Sequence, residues 1–327
     1  MKEWLRQLQG NVEPVLSQIA QGYTRGDVIG TGIMPIIEVP DIIVQVPTYN
    51  KDHFRYYETE RALRANSNLM SPEAITFAEK VLKPHDIAYP IDKIEKMTML
   101  ETSRRADIKL ANRYANATQV VKGIIDIGME AAIGVLVATA GSYDASNKSA
   151  LTGNNCWDPT VSAHADSTPD LDIETGKTAI YTDIGVMPNV CAMGITTWQT
   201  LKIHPHITGV IFGEGKSGVV TPEAFKQAFG FEVLLIGSAK YNVGGVSGTD
   251  TAIWSDVLWM GYVPQTPKAQ ASMDQHSFGY TLRYMGMPAI DTFYSADGNV
   301  ENIRCTDVYL PVVLDYNAGY LITNTVT

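Results

Sequence analysis

Apolar and polar positions change rhythm several times along the chain. Between residues 3 and 20, Trp4, Leu8, Val15, Leu16 and Ile19 recur near helical spacing, but Gly10 and Pro14 break the series and limit any helix to short pieces. Ile and Val crowd the next stretch, GDVIGTGIMPIIEVPDIIVQVPTYN, where Pro35, Pro40 and Pro47 favour extended edge strands over the centre of a sheet. From Lys51 to Pro84 the chain is polar and dense in charge, which suits a long excursion away from a core. Within it, Ser71-Pro72-Glu73 has the local make-up of a helix start, with a cap hydroxyl, Pro first and an acid in the first turn.

The longest periodic pattern follows a second start at Thr102 or Ser103. Leu110, Tyr114, Ala117, Val121, Ile124, Ile125, Ala132 and Leu136 recur at steps of three or four, while Lys109, Asn112, Arg113, Asn116, Gln119, Asp126 and Glu130 fall mostly on the other side. The spacing predicts an amphipathic helix from about Arg104 to Ala138, roughly 50 Å long at 1.5 Å per residue, with Ile124 facing the core. Gly123, Gly128 and Gly134 each cost up to about 1 kcal/mol against Ala, so packing must hold it together. A turn-rich segment comes next, then a helix near Leu171 to Asp183, a strand from Asn189 to Met193 and a helix around Thr197 to Ile203. Thr221-Pro222-Glu223 opens a helix over about Pro222 to Phe229. The remainder reads as strands with turns between: EVLLIGSAKYN, AIWSDVLWMGYVP, FGYTLRYMG, AIDTFYSADGNVENIRCTDVYLPVVLD and YLITNTV. The class is α+β, with no internal repeat.

Composition narrows the function. The 327 residues allow one large or two modest domains, and only 18% are charged, below the roughly 25% of an average soluble domain. That low charge fits a chain with less surface facing water than a free monomer. A net charge of -10 argues against gripping nucleic-acid phosphates over the whole surface, and against acidic substrates. Cys156, Cys191 and Cys305 have neither disulfide nor zinc spacing, which fits a reducing cytoplasm. The first 20 residues lack the apolar core of a secretory signal, and Lys122, Asp126 and Glu130 interrupt the most apolar stretch too often for a membrane span.

Each chemical motif has a plainer reading. GVIFGEGKSG resembles a phosphate-binding loop around Lys216, but Val210 stands where the first Gly belongs and no helix opens at Lys216 or Ser217, so a glycine turn is expected. His204 and His206, with Pro between them and no third ligand, suggest a helix-ending turn more than a metal site. His164, Asp166, Asp170, Asp172 and Glu174 lack a calcium-loop pattern; Ser167, Thr168, Pro169 and Asp170 fit a helix start with acids near the positive end of its dipole. No nucleophile elbow, zinc-protease, kinase or dinucleotide motif is present.

The order of these segments resembles the major capsid proteins of tailed bacteriophages, whose Johnson fold is shared with herpesvirus capsids and encapsulin shells. YTRGDVIGTGIMPIIEVPDIIVQVPTYNKDHF is similar to the family's lead into its extended loop. SNKSALTGNNCWDPTVSAHADSTPDLDIETGKTAI is similar to the passage from the spine helix to the next helix. MPNVCAMGITTWQTLKIHPHITGVI resembles a signature of Pro-Asn, apolar strand, helix with Trp and His-Pro, carried by Pro188, Asn189, Trp198, Leu201, His204 and Pro205. VTPEAFKQAFGFEVLLIGSAKYN with AIWSDVLWMGYVP, and the closing NAGYLITNTV, complete the likeness over about residues 22 to 327.

The resemblance implies an α+β capsid fold with an N-terminal arm (1–41), an extended two-stranded loop (42–92), a peripheral domain with the spine helix (93–205), an axial domain (206–285) and return strands to the peripheral domain (286–327). It takes precedence over the helix start at Ser71. It implies no catalytic residues, cofactor or metal, and nothing sets Lys51, Lys80 or Lys83 apart as crosslinking lysines. The expected function is a structural subunit, not an enzyme, self-assembling through pentamers and hexamers into an icosahedral head around double-stranded DNA, assembled in the host cytoplasm and retained in the virion. Scaffolding and portal proteins are the implied partners, a decoration protein is compatible with the resemblance, and no membrane is implied; the short arm after Met1 points to a separate scaffold. An encapsulin-like cargo shell is the alternative, and a nucleotide-binding enzyme around Lys216 a rival of another class. Residues 1–122 hold 16 basic and 15 acidic residues, whereas 123–327 hold 9 and 20. Arg55, Arg61, Arg64, Lys80 and Lys83 are therefore the candidate contacts with a neighbour's acidic body.

Overall fold

A computed structural model describes residues 13–23, 26–48, 59–61, 63, 66–68, 76–101, 106–158, 167–213, 215–216, 218–244, 247–264 and 277–326. The helix start at Ser71 and the cap at Thr102 or Ser103 lie outside these residues. The chain opens with α1 (Pro14–Gly22), where Pro14 takes a first-turn position that needs no N–H donor, and the single turn α2 (Gly30–Ile33). β1 (Ile36–Val39) follows, then β2 (Ile43–Thr48), β3 (Thr76–Val81) and β4 (Lys83–Asp92). Among the described residues β2 and β3 pair only with each other, from Ile43 opposite Val81 to Thr48 opposite Thr76, and form a two-stranded ribbon. Two helices come next, α3 (Lys93–Glu101) and the 33-residue α4 (Ala106–Ala138).

Beyond α4 the chain forms β5 (Lys148–Ala150), α5 (Pro169–Ile184), β6 (Val190–Gly194), α6 (Ile195–Leu201), α7 (Pro205–Phe212), α8 (Pro222–Phe229) and β7 (Val233–Gly237). The short pair β8 (Lys240–Tyr241) and β9 (Thr251–Ala252) precedes β10 (Val257–Gly261), β11 (Gly279–Tyr284), β12 (Ala289–Tyr294), β13 (Val300–Val313) and β14 (Gly319–Thr323). Thr221 caps α8 as its sequence suggests, accepting the Ala224 N–H at 3.3 Å, and Gly230 closes the helix at φ 72°.

Two sheets organise these elements. In the first, the long β13 pairs with β4, β11 and β12, and β1 runs parallel to β11 at the edge, where its flanking prolines are tolerated. The second has the order β5-β14-β10-β6-β7, and its inner strands β6 and β10 are buried along their whole length. Residues 286–327 are shared between the sheets, since β12 and β13 lie in the first and β14 in the second; α5, β6 and α6 also belong with the second.

α4 packs on β13 and β4 and joins the layers, with an inner face that keeps Ala117, Val121 and Ile125 as its spacing predicts but departs from the prediction at Ile124, Asp126 and Glu130. The buried apolar stripe is Ala117, Val121, Ile125, Met129, Ile133 and Val137, whereas Ile124 is 46% exposed and Val120 and Val135 also face outward. Asp126 and Glu130, expected outside, are buried together with Lys122. Steps of four advance about 400° round a helix of 3.6 residues per turn, so this stripe precesses by roughly 40° at each step. The buried face is thereby handed from the first sheet to the second: a Cβ on Gly128 would meet Tyr309 of β13, and one on Gly134 would meet Ile253, just after β9.

Candidate assembly surfaces and polar clusters

The turn that ends α6 closes on His204, whose N–H donates to the Leu201 carbonyl at 3.2 Å, and the same residue starts the next helix. Its Nδ1 accepts the His206 N–H at 3.3 Å and caps α7, with Pro205 in the first turn. Its Nε2 lies 3.0 Å from the Ser167 hydroxyl, a contact that on distance alone resembles a serine–histidine dyad. With Nδ1 accepting, the neutral ring carries its proton on Nε2 and has no lone pair left to take the serine's proton. Burial, then the neighbouring His206, push the His204 pKa down to about 4, so the ring stays neutral. His206 in turn reaches Asp170 at 3.4 Å.

The other motifs resolve into structure. No group of three or more His, Cys, Asp or Glu side chains among the described residues is placed to hold a metal. Asp170 and Asp172 lie in the first turn of α5, and Asp172 accepts the Trp157 indole N–H at 2.8 Å; His164 and Asp166 lie outside the described residues. Lys216 follows α7 in a turn with Gly213 and Gly215 at positive φ, and the next helix begins only at Pro222, so no helix N-terminus faces it. Cys156, Cys191 and Cys305 are free and buried, and burial pushes the Cys305 thiol up to about 12.

The Pro-Asn, Trp and His-Pro signature gains a physical reason. Asn189 works as a side-chain extension of the second sheet: its Nδ2 donates to the Val263 carbonyl at 2.7 Å and its Oδ1 accepts the Val263 N–H at 2.9 Å. Trp198 meets Phe225 of α8 edge to face, and Leu201 is fully buried. These residues build the second layer.

Carboxylates at Glu301 and Glu130 fasten α4 to other elements, with ion pairs beside them. Glu301 of β13 accepts from both Lys96 of α3 and Tyr114 of α4. Lys122 pairs with Asp126 beside a cavity of about 810 Å³ that Glu38, Glu130 and Arg283 also line. Across the first sheet, Arg283 reaches the fully buried Asp307 at 2.8 Å. Glu130 accepts three N–H donors; burial pushes its carboxyl up and those donors pull it back. Sequence reasoning missed this inward set, although Lys122, Asp126 and Glu130 stand four residues apart in an otherwise apolar run.

Two apolar faces are exposed. On the ribbon, Ile43 and Val81 are cross-strand partners, as are Pro47 and Phe77; Ile43, Val81 and Phe77 are exposed. On α4, Val120, Ile124 and Val135 are exposed. Among the cations singled out from sequence, Arg61, Lys80 and Lys83 are exposed, Lys80 on β3 and Lys83 at the start of β4; Arg55 and Arg64 lie outside the described residues. Among the described residues no helix is long and apolar enough to cross a membrane.

No protein-family model matches the chain. A major capsid protein of Burkholderia phage BcepMu is 36% identical over 313 residues, covering 95% of this chain and 96% of the relative. In the crystal structure of a phage-related protein from Bordetella bronchiseptica RB50, 25% identical, the match covers 96% of this chain and 97% of the other with a TM-score of 0.74. The virus-like particle protein of Pyrococcus furiosus shares the fold at 8% identity, with a TM-score of 0.51 over 94% of this chain and 95% of the other. A likeness to a capsid protein that runs almost end to end, on a two-sheet body with a spine helix and an exposed ribbon, shows that the chain belongs to the family of phage major capsid proteins.

Proposed function

We propose that copies of this chain form pentamers and hexamers that close an icosahedral head around the double-stranded DNA of a tailed phage. The observation that carries the reading is the 36% identity to a phage major capsid protein over 95% of the chain. In this reading the subunit is structural and not catalytic, assembles in the host cytoplasm on a scaffolding protein, meets a portal protein at one vertex and remains in the virion. A decoration protein is compatible with it. The arm (1–41) and loop (42–92) reach neighbouring copies, while 93–205, 206–285 and 286–327 supply the body and its return strands. Arg55, Arg61, Arg64, Lys80 and Lys83 of the loop then meet a neighbour's acidic surface, where rim charges steer association and fix register.

Electron microscopy of the purified protein, alone and co-expressed with the scaffolding protein from the same phage, tests the reading. Closed particles or ring-shaped capsomers are expected. A compact monomer under both conditions overturns it, and particles that hold protein cargo without DNA in infected cells point to a cargo shell instead.

A further inference from the structure

Three separate parts of the chain meet at one carboxylate. Glu130 lies on the inner side of α4 and is 2% exposed. Its Oε1 accepts the Ile29 N–H at 2.9 Å and the Trp254 indole N–H at 2.6 Å, and its Oε2 accepts the Gly30 N–H at 2.7 Å. Ile29 and Gly30 open α2, at the end of the N-terminal lead-in; Trp254 lies between β9 and β10, in the second layer; α4 is fastened to the first. All three donors are neutral N–H groups that can only donate, and a carboxylate offers enough lone pairs for all of them at once.

Close packing fixes this geometry. A Cβ on Gly30 would stand 2.7 Å from Glu130 Oε2, one on Gly134 2.6 Å from Ile253, and one on Gly237 2.3 Å from the Trp254 ring. A small shift of the lead-in, the helix or the Trp254 segment therefore has to be shared by the other two. Asp27 acts on Glu130 from the lead-in, and Lys122, Asp126, Arg283 and Glu38 border the adjoining cavity.

We propose that Glu130 is a latch that couples the position of the N-terminal lead-in to the seating of the second layer on α4. A neighbouring copy that draws on the arm would then loosen that seating, giving one sequence a graded angle between its layers. This role in a shell rests on the capsid reading above, whereas the coupling itself does not.

Hydrogen exchange on the unassembled full-length chain tests the coupling whether or not particles form. Trp254→Phe removes one donor and touches neither Ile29 nor Gly30, yet exchange over residues 29–33 is expected to rise roughly tenfold, as the carboxylate loses a fixing partner. Glu130→Gln should raise exchange over both 29–33 and 251–257. Trp198→Phe, in the same layer but not among the donors to Glu130, is the control and should leave 29–33 unchanged. The proposal is overturned if Trp254→Phe leaves 29–33 within about twofold of the parent, or if Trp198→Phe loosens 29–33 as much. Should Glu130→Gln fail to fold, the two tryptophan variants decide.

Discussion

Replacing Ile133 by alanine in one variant and Ile124 by alanine in another asks which face of α4 carries the fold. Ile133 is fully buried and Ile124 is 46% exposed, although they sit on the same helix and lose the same three carbons. At about 0.8 kcal/mol per buried methylene, the transfer part at Ile133 is about 2.4 kcal/mol. A void of roughly 70 Å³ at about 24 cal/mol per Å³ adds about 1.7 kcal/mol. Gly30, whose Cβ would already stand 3.0 Å from Ile133 Cδ1, offers no side chain to move in. The sum, about 4 kcal/mol, lies inside the usual range for such deletions. At Ile124 half the transfer part is already forfeited to water and no sealed void forms, leaving about 1 kcal/mol. Urea unfolding of the unassembled subunit should show a much lower midpoint for Ile133→Ala, with the slope preserved in both variants. Equal midpoints, or a larger loss for Ile124→Ala, would refute the assignment of faces.

Other consequences can be measured on the same preparation. Removing residues 49–75 and joining Thr48 to Thr76 through a short turn should leave cooperative melting intact and abolish assembly, as followed by calorimetry and light scattering. Burial works to raise the Glu301 carboxyl, but bonds from Lys96 and Tyr114 outweigh it and hold it below the ordinary glutamate range. Its stabilising share is therefore present above the unfolded value of about 4.3 and lost as pH falls through the lower folded value; Glu301→Gln should flatten that acid limb in pH-resolved denaturation. For His204, held neutral, stability is full above about pH 6.5 and declines as the unfolded imidazole protonates on the way to pH 4, so His204→Ala should remove the loss in that window. Reversing Arg61 and Arg64 to Glu should slow assembly at low salt with little change in subunit stability, and added salt should narrow the gap to the parent; equal rates at low salt would sink the steering argument.

Local chemistry made some elements readable. A hydroxyl, a proline and an acid in succession place α8, and proline spacing places β1 at an edge, because caps and missing N–H donors act over a few residues. The end of α4 at Ala138 was equally plain. Its inner face was not, because a stripe that precesses between two layers has no fixed apolar side, and because Asp126 turns inward to Lys122 one turn back while Glu130 turns inward to partners far along the chain. α7 stayed hidden behind a His-Pro-His segment, whose capping role depends on Ser167 and His206 closing round one imidazole. The Glu130 cluster depends on contacts across about a hundred residues or more, which no local pattern encodes. Of the candidate contacts, exposure at Arg61, Lys80 and Lys83 agrees with the polar sequence around them, and the contacts proposed for them involve a second copy.

The place of β14 also governs when the subunit can become complete. It lies between β5 and β10, yet the ribosome makes it after every other strand of that sheet, and Thr325 just beyond it bonds to Asp256 and Trp157. Until residues 319–325 are synthesised, β10 lacks one of its two neighbours and β5 has none. A nascent chain can thus prepare the β6–β7 pair and the helices around it, but the second layer closes only once residues 319–325 have been made, through pairings of high sequence separation that form slowly. Prematurely terminated chains would expose the buried flank of β10 and be open to proteolysis, which filters incomplete subunits before they can be built into a particle.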